Sequence, residues 1–153
     1  MSAPQILEQL MGNWSGSNRL WLDPNDAVRE SEAKATVGLA AKGRFALVQY
    51  TWADAGQPQE GLLLIGVDEP AGQAQGLWID SWHMGDMWMI CQGQIDAGGN
   101  LAITGSYAAP SGPDWNWRIE IHSNATDAFE LRMFNITPEG DAMLAVQATY
   151  RRA

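Results

Sequence analysis

The sequence has few cysteines, few basic residues and no long apolar run. Cys91 is the only cysteine among 153 residues, which excludes an internal disulfide. Nine Lys and Arg stand against eighteen Asp and Glu, for a formal net charge of −9. Such a surface repels phosphate backbones and anionic membranes. We therefore expect neither nucleic acid nor a membrane among the partners of this protein.

Targeting and membrane-spanning segments are also lacking. The first residues, MSAPQ, do not combine a basic segment with the apolar one that follows it in a secretory signal. No apolar run approaches the ~18–20 residues that a membrane helix requires. The sequence therefore predicts a cytoplasmic protein.

Motifs of nucleophilic, phosphate-binding and metal chemistry are missing as well. There is no Gly-x-Ser-x-Gly motif, and Cys91 lies in an apolar run where a thiol is usually inert. Asp80, His83 and Asp86 are spaced three apart, which suits a helix better than the end of a strand, and they offer one nitrogen ligand. We expect no metal site.

Tryptophan is what the sequence has in excess, with eight residues in the chain. A Trp buries about 150–250 Å², so these side chains dominate any core or pocket that they enter. Hydrophobic residues make up 46% and charged residues 18%, which is typical of a globular chain. With no linker or shift in composition, we expect one domain over residues 1–153.

A short helix followed by strands accounts for the apolar pattern. Residues 4–11 have helical periodicity up to Gly12. After it, alternating runs broken by Gly, Pro, Asn and Asp predict ten strands. Their predicted ranges are 14–22, 29–39, 44–53, 60–68, 75–82, 87–95, 100–108, 115–122, 127–136 and 142–151. One apolar face per strand predicts an all-β fold, a single ten-stranded antiparallel up-and-down barrel that leaves room for a ligand.

An ordered set of short motifs spans nearly the whole chain. It comprises Leu7-x-x-Leu10-x-Gly12-x-Trp14-x-Gly16, Gly43-Arg44-Phe45, Glu60-Gly61-Leu62 through Gly66-Val67-Asp68, Gly76-Leu77-Trp78-Ile79-Asp80-Ser81, Gly93-x-x-Asp96-x-x-Gly99-x-Leu101-x-x-Thr104-Gly105 and Ala148-Thr149-Tyr150-Arg151. With it, the chain resembles the bacterial lipocalin-like (calycin-type) barrel family of unknown function. The resemblance implies a barrel related to lipocalins and fatty-acid-binding proteins, and it implies no activity.

The resemblance also implies how one end of the barrel is closed. In calycins a Trp of the first strand packs against an Arg of the last strand, which assigns this role to Trp14 and Arg151, with Arg152 or Arg118 as alternatives. The haem-binding nitrobindin group shares the Gly-x-Trp-x-Gly start but uses a late His as iron ligand. Here the last His is His122, so we expect no haem and no other cofactor.

Residues 78–88 form the densest functional candidate, since they gather three Trp, two carboxylates and one of two histidines. Alternation places Asp80 between Trp78 and Trp82 on one face, and His83 just past the strand end. A structural Asp beside an ordinary loop His is the alternative. The predicted ligand-binding residues are Tyr50, Trp78, Asp80, Trp82, His83, Met87 and Trp117.

Three hypotheses about function follow. The first is a non-enzymatic binder of a small apolar or aromatic molecule. The second is an isomerase or hydrolase that uses Asp80 with His83 or Tyr50 as acid–base groups. The third is an interaction module, because the runs 61–67 and 87–91 are apolar on both faces, which indicates a homodimer or a covering segment.

Overall fold

The computed structural model describes residues 5–68 and 70–153. Within them, one helix, α1 (Gln5–Gln9), precedes a closed antiparallel barrel in which each strand pairs with its neighbours in sequence and β1 pairs with β10. The strands are β1 (Gly12–Leu20), β2 (Arg29–Ala40), β3 (Phe45–Asp54), β4 (Gln57–Asp68), β5 (Gln73–Asp80), β6 (Met89–Ile95), β7 (Leu101–Tyr107), β8 (Trp115–Ala125), β9 (Ala128–Ile136) and β10 (Ala142–Arg152).

The predicted ten-stranded barrel is therefore confirmed. Predicted and observed strand ends differ by at most three residues, and the predicted start of the helix at Pro4 lies outside the described residues. No helix in the described part of the chain is long and apolar enough to cross a membrane. Tight turns make the closed meander feasible. Between β3 and β4, Ala55 and Gly56 both have positive φ (50° and 79°), as a two-residue hairpin turn of type I′ requires.

The interior follows the alternation of the strands. In β8, Trp117, Ile119 and Ile121 are buried while the residues between them face outward, and β9 repeats the pattern with Phe129, Leu131 and Met133. Asn18 and Asp80 are the buried polar residues of this core among the described side chains. In an interior with so few polar groups, the buried carboxyl group of Asp80 requires hydrogen-bond donors close to it.

One end of the barrel is closed around Trp14. Its indole Nε1 donates a hydrogen bond to the carbonyl of Leu10 (2.8 Å), and its ring meets Phe129 edge to face at 4.8 Å between ring centres. The Arg152 guanidinium lies over the Trp14 ring, with Cζ 4.3 Å from the ring centre. Its Nη atoms donate to the carbonyls of Met11 and Gln9, both at 2.7 Å. Arg152 thus satisfies carbonyls at the end of α1 that lack helical partners.

The assignment of this role to Arg151 is wrong. In the β1–β10 register, Trp14 lies opposite Arg152, and Ser15 lies opposite Arg151. Residues opposite each other share a face of the sheet, so the partner of the inward-facing Trp14 is Arg152. Arg151 lies on the outer face with Ser15. The alternative that named Arg152 is the correct one.

Replacing Arg152 by Ala removes the contact with the Trp14 ring together with the bonds to the carbonyls of α1. We expect the free energy of unfolding to fall by about 1–2 kcal/mol, measured by urea denaturation. Arg151→Ala is the matched control one residue away, with an expected change within about 0.5 kcal/mol. Equal losses in the two variants would show that Arg152 does not secure this end.

Candidate functional site

The opposite end of the barrel, here called the mouth, is where the predicted site residues lie. The loops after β1, β3, β5, β7 and β9 meet there, and the loop between β5 and β6, residues 81–88, is here called the mouth loop. Asp80 ends β5 with its side chain inward and 3% exposed. The mouth loop starts directly after this buried carboxyl group.

Four donors satisfy the two oxygens of Asp80. The Tyr50 hydroxyl donates to Oδ2 at 2.7 Å, and Trp52 Nε1 donates to the same atom at 3.3 Å. The backbone N–H groups of Trp82 and His83 donate to Oδ1, both at 2.9 Å. Asp80 therefore joins the barrel wall on one side to the first turn of the mouth loop on the other.

Tyr50 extends this network to β5. Its hydroxyl accepts a hydrogen bond from Trp78 Nε1 at 2.9 Å while it donates to Asp80. Burial, reinforced by the charge of Asp80, holds the pKa of Tyr50 well above its ordinary value. The phenol consequently keeps its proton and remains a donor to the carboxylate.

Gly61 makes room for the Tyr50 ring. It lies opposite Tyr50 on β4, and a Cβ atom there would stand 2.3 Å from the Cζ and hydroxyl oxygen of Tyr50. No side chain fits without moving the phenol away from Asp80. The glycine of the Glu60-Gly61-Leu62 motif therefore has a steric role at the site.

His83 fills the centre of a cluster of indoles. Ring centres of Trp52, Trp78, Trp82 and Trp117 lie 5.7, 5.6, 4.7 and 5.3 Å from the centre of its imidazole. Burial lowers the pKa of His83, and the nearby Asp80 only partly offsets this effect. The imidazole is therefore held in its neutral form in apolar surroundings.

A cavity of about 250 Å³ lies next to this cluster and is here called the mouth cavity. Aromatic and thioether side chains form most of its wall, with one amide and one phenol. The lining residues are Trp78, His83, Met84, Met89, Tyr107, Trp117 and Asn135. Trp78 and Trp117 stack nearly parallel, 5.3 Å apart at 9° between planes, and the Tyr107 hydroxyl donates to Asn135 Oδ1 at 2.7 Å.

A second space on the inner side of His83 is much smaller. It has a volume of about 10 Å³ and lies among Asn18, Tyr50, Trp52, Asp80 and the core of β9 and β10. His83 lines both spaces, so it lies between the mouth cavity and the interior. A larger depression of about 520 Å³ runs over the outside of β2–β5. Its walls are outer-face side chains such as Thr36, Gln49 and Ile79, so it belongs to the surface.

The structure gathers most of the predicted site residues. Trp78, His83 and Trp117 line the mouth cavity, and Tyr50 and Asp80 form the hydrogen-bonded network behind it. Trp82 is 37% exposed and shields His83 from outside the cavity.

The prediction that Met87 is a ligand-binding residue is wrong. It is 68% exposed, because β6 begins at Met89 and the mouth loop carries Met87 outside the inward alternation. Met89 takes the inward position.

Several residues of the site were missed. Trp52 follows Tyr50 by two residues on β3, so the alternation of the strand indicates that both side chains lie on the same face. Tyr107 on β7 and Asn135 on β9 form a hydrogen bond across β8, which lies between their strands. No local sequence pattern predicts that contact.

The lowered pKa of His83 makes folding dependent on pH. The unfolded chain takes up a proton near the ordinary pKa of about 6.5, where the folded protein does not, so stability falls as the pH drops through that value. We expect His83→Gln to lose less free energy of unfolding than the unsubstituted protein between about pH 7.5 and about pH 5.5. Urea denaturation at both values measures the loss.

His122 provides the matched control for this measurement. It lies on the outer face of β8, where its Nε2 is 2.8 Å from Glu120 Oε1. His122→Gln should show the same fall in the free energy of unfolding between the two pH values as the unsubstituted protein, because it keeps His83. An unchanged loss in His83→Gln would contradict the burial of a neutral imidazole at the mouth.

Comparisons with known proteins support the fold and place the chain in a family. The S-type phycobiliprotein lyase CPES from Guillardia theta has a similar structure, with a TM-score of 0.65 over 100% of this chain and 93% of that one. The two sequences are 12% identical, so the likeness concerns the fold alone. No curated protein sequence matches the chain.

These findings do not concern the bacterial lipocalin-like family or the nitrobindin group, and both resemblances stay predictions. The family match is different, because it covers residues 2–152. On that match, the chain belongs to the family described as "Protein of unknown function (DUF1579)".

Proposed function

We propose that this protein binds a small, mostly apolar or aromatic molecule in the mouth cavity without transforming it. The observation that carries the proposal is the cavity itself, about 250 Å³ with four aromatic and two Met side chains in its wall. Binding sites for small molecules are concave and apolar with a few polar groups, and this wall has that composition. The barrel shared with a phycobiliprotein lyase supports the same class of function.

Met84 and Met89 suit this wall. Thioether side chains are flexible and polarizable, so they adapt to flat ligands and make favourable contacts with aromatic rings. Both line the mouth cavity, Met84 from the mouth loop and Met89 from the start of β6. These two side chains therefore make part of the wall adaptable, next to the rigid stack of Trp78 and Trp117.

An enzymatic role for Asp80 with Tyr50 or His83 is the alternative. The distances allow proton transfer, since the Tyr50 hydroxyl is 2.7 Å from the carboxylate. Both oxygens of Asp80, however, already accept hydrogen bonds from four donors. A general base must present a free oxygen to its substrate. This favours a positioning role for Asp80, which holds Tyr50 and the mouth loop.

Filling the mouth cavity should abolish binding. Asn135→Phe adds a ring at the cavity wall, and we expect it to weaken the binding of naphthalene by roughly tenfold or more, measured by quenching of Trp fluorescence. Asn116→Phe is the matched control, since Asn116 is exposed on the outer face of β8. If neither naphthalene nor its ring-nitrogen analogue quinoline binds the unsubstituted protein, or if both variants bind naphthalene equally well, the mouth cavity is not a binding site.

The outer face of β4–β6 supports a second part of the proposal, that two copies of this chain pair there. Leu62 lies opposite Ile79, and Leu77 lies opposite both Leu64 and Ile90. Ile79 and Ile90 are 39% and 55% exposed. The strip carries no charge at its centre, as the cores of interfaces do. A chain of net charge −9 repels its copies elsewhere, which favours this face for pairing.

Sedimentation equilibrium tests the pairing. We expect the mass of a dimer for the unsubstituted protein and of a monomer for Ile90→Glu, because a charge at the centre of an apolar interface is costly to bury. Ser15→Glu adds the same charge on the outer face of β1, five strands away, and should leave the dimer intact. A monomer in all three cases would refute the pairing.

A further inference from the structure

The mouth cavity contains a hydrogen-bond donor that the protein does not use. Trp117 lines the cavity, is 5% exposed, and its Nε1 has no hydrogen-bond acceptor among the described residues. Arg19 Nε also lacks a well-directed acceptor, but it lies 3.1 Å from a Glu30 carboxylate oxygen. A buried donor without an acceptor is destabilising, so the unpaired indole N–H favours an acceptor supplied by a ligand.

The other indoles of the cluster do not share this property. Trp78 Nε1 donates to the Tyr50 hydroxyl, and Trp52 Nε1 donates to Asp80. At the closed end, Trp14 Nε1 donates to the Leu10 carbonyl. Each of these buried tryptophans has an acceptor, and Trp117 differs from them because it lines the mouth cavity while its buried Nε1 is unpaired.

The rest of the cavity wall adds an amide donor to this indole N–H and carries no charge. An indole N–H only donates. The Tyr107 hydroxyl donates to Asn135 Oδ1, which leaves the amide N–H groups of Asn135 for another acceptor. No Asp, Glu, Lys or Arg lines the cavity. The wall therefore suits an uncharged ligand that accepts hydrogen bonds.

The volume of the cavity limits the size of that ligand. An apolar cavity of about 150 Å³ holds benzene, and sites for drug-sized molecules occupy about 300–1,000 Å³. The mouth cavity, at about 250 Å³, lies between these limits. A molecule of two fused rings fits this range, and its flat face matches the stacked indoles of Trp78 and Trp117.

We propose that the mouth cavity takes flat, uncharged molecules of about two fused rings that carry a hydrogen-bond acceptor, and that Trp117 Nε1 donates to this acceptor. The proposal rests on the proposed function, because it names the class of ligand for the same cavity. The acceptor is a ring nitrogen or a carbonyl oxygen, which share the chemistry that an indole N–H recognises.

Two probes of equal shape test the hydrogen bond. Quinoline and naphthalene differ by a ring nitrogen, and both are uncharged at neutral pH. Because water solvates them differently, the measured quantity is the ratio of their dissociation constants, compared between the unsubstituted protein and Trp117→Phe. The phenyl ring keeps an apolar wall and removes the donor. We expect the preference for quinoline relative to naphthalene to fall about 2–10-fold in Trp117→Phe.

Trp88→Phe is the control variant. Trp88 is 66% exposed and does not line the mouth cavity, so the ratio should stay as in the unsubstituted protein. An unchanged ratio in Trp117→Phe, with both probes still bound, would overturn the acceptor proposal and leave the binding function standing. Failure of both probes to bind the unsubstituted protein would overturn the two together.

A second measurement needs no substitution, in case Trp117→Phe does not fold. In protein with ¹⁵N-labelled Trp, the assigned Nε1–H resonance of Trp117 should move downfield with quinoline more than with naphthalene. The two probes have similar ring currents, so the difference reports the hydrogen bond. Equal shifts with both bound probes would overturn the proposal.

Discussion

The open half of this barrel depends on a buried carboxyl group. An unpartnered charge in an apolar interior costs several kcal/mol, so Asp80 is tolerable only where donors converge on it. Tyr50 and Trp52 supply two of these donors from the barrel wall, and the backbone at the start of the mouth loop supplies two more. The network therefore binds a rigid sheet to the segment that covers it.

Other features of the site follow from this constraint. The mouth loop turns inward at Asp80 because its amides are bonded there, and that turn places the His83 ring among the indoles. Gly61 is required because the phenol that reaches Asp80 occupies the space of a side chain on β4. The polar network around Asp80 holds the mouth loop, and the apolar mouth cavity, which His83 also lines, is where we propose that the ligand binds.

Alternation along the strands made much of this molecule predictable. It put Trp78 and Asp80 on one face of their strand, put Trp117 on an apolar face and yielded the closed barrel, because period two is a local property. Which face of the fifth strand lines the interior stayed open until the structure showed it. The registers of strand pairs and the first residues of strands were not predictable. They decide which arginine meets Trp14 and which methionine faces the interior. One residue of register separates Arg151 from Arg152 at the closed end, and the start of β6 decides whether Met87 or Met89 faces inward. The unpaired N–H of Trp117 depends on every neighbour of the indole, and no stretch of sequence contains them all.

The parallel stack of Trp78 and Trp117 has an optical consequence. Two indoles held 5.3 Å apart at 9° have electronic transitions that couple strongly. In a chiral and rigid setting such coupling produces a paired signal in circular dichroism, whose sign and size depend on the relative direction of the two in-plane transition moments. Since both rings are in the wall of the mouth cavity, a ligand that changes the orientation of either ring would change that signal. The protein thus contains an intrinsic chromophore pair whose geometry reports the state of its own cavity.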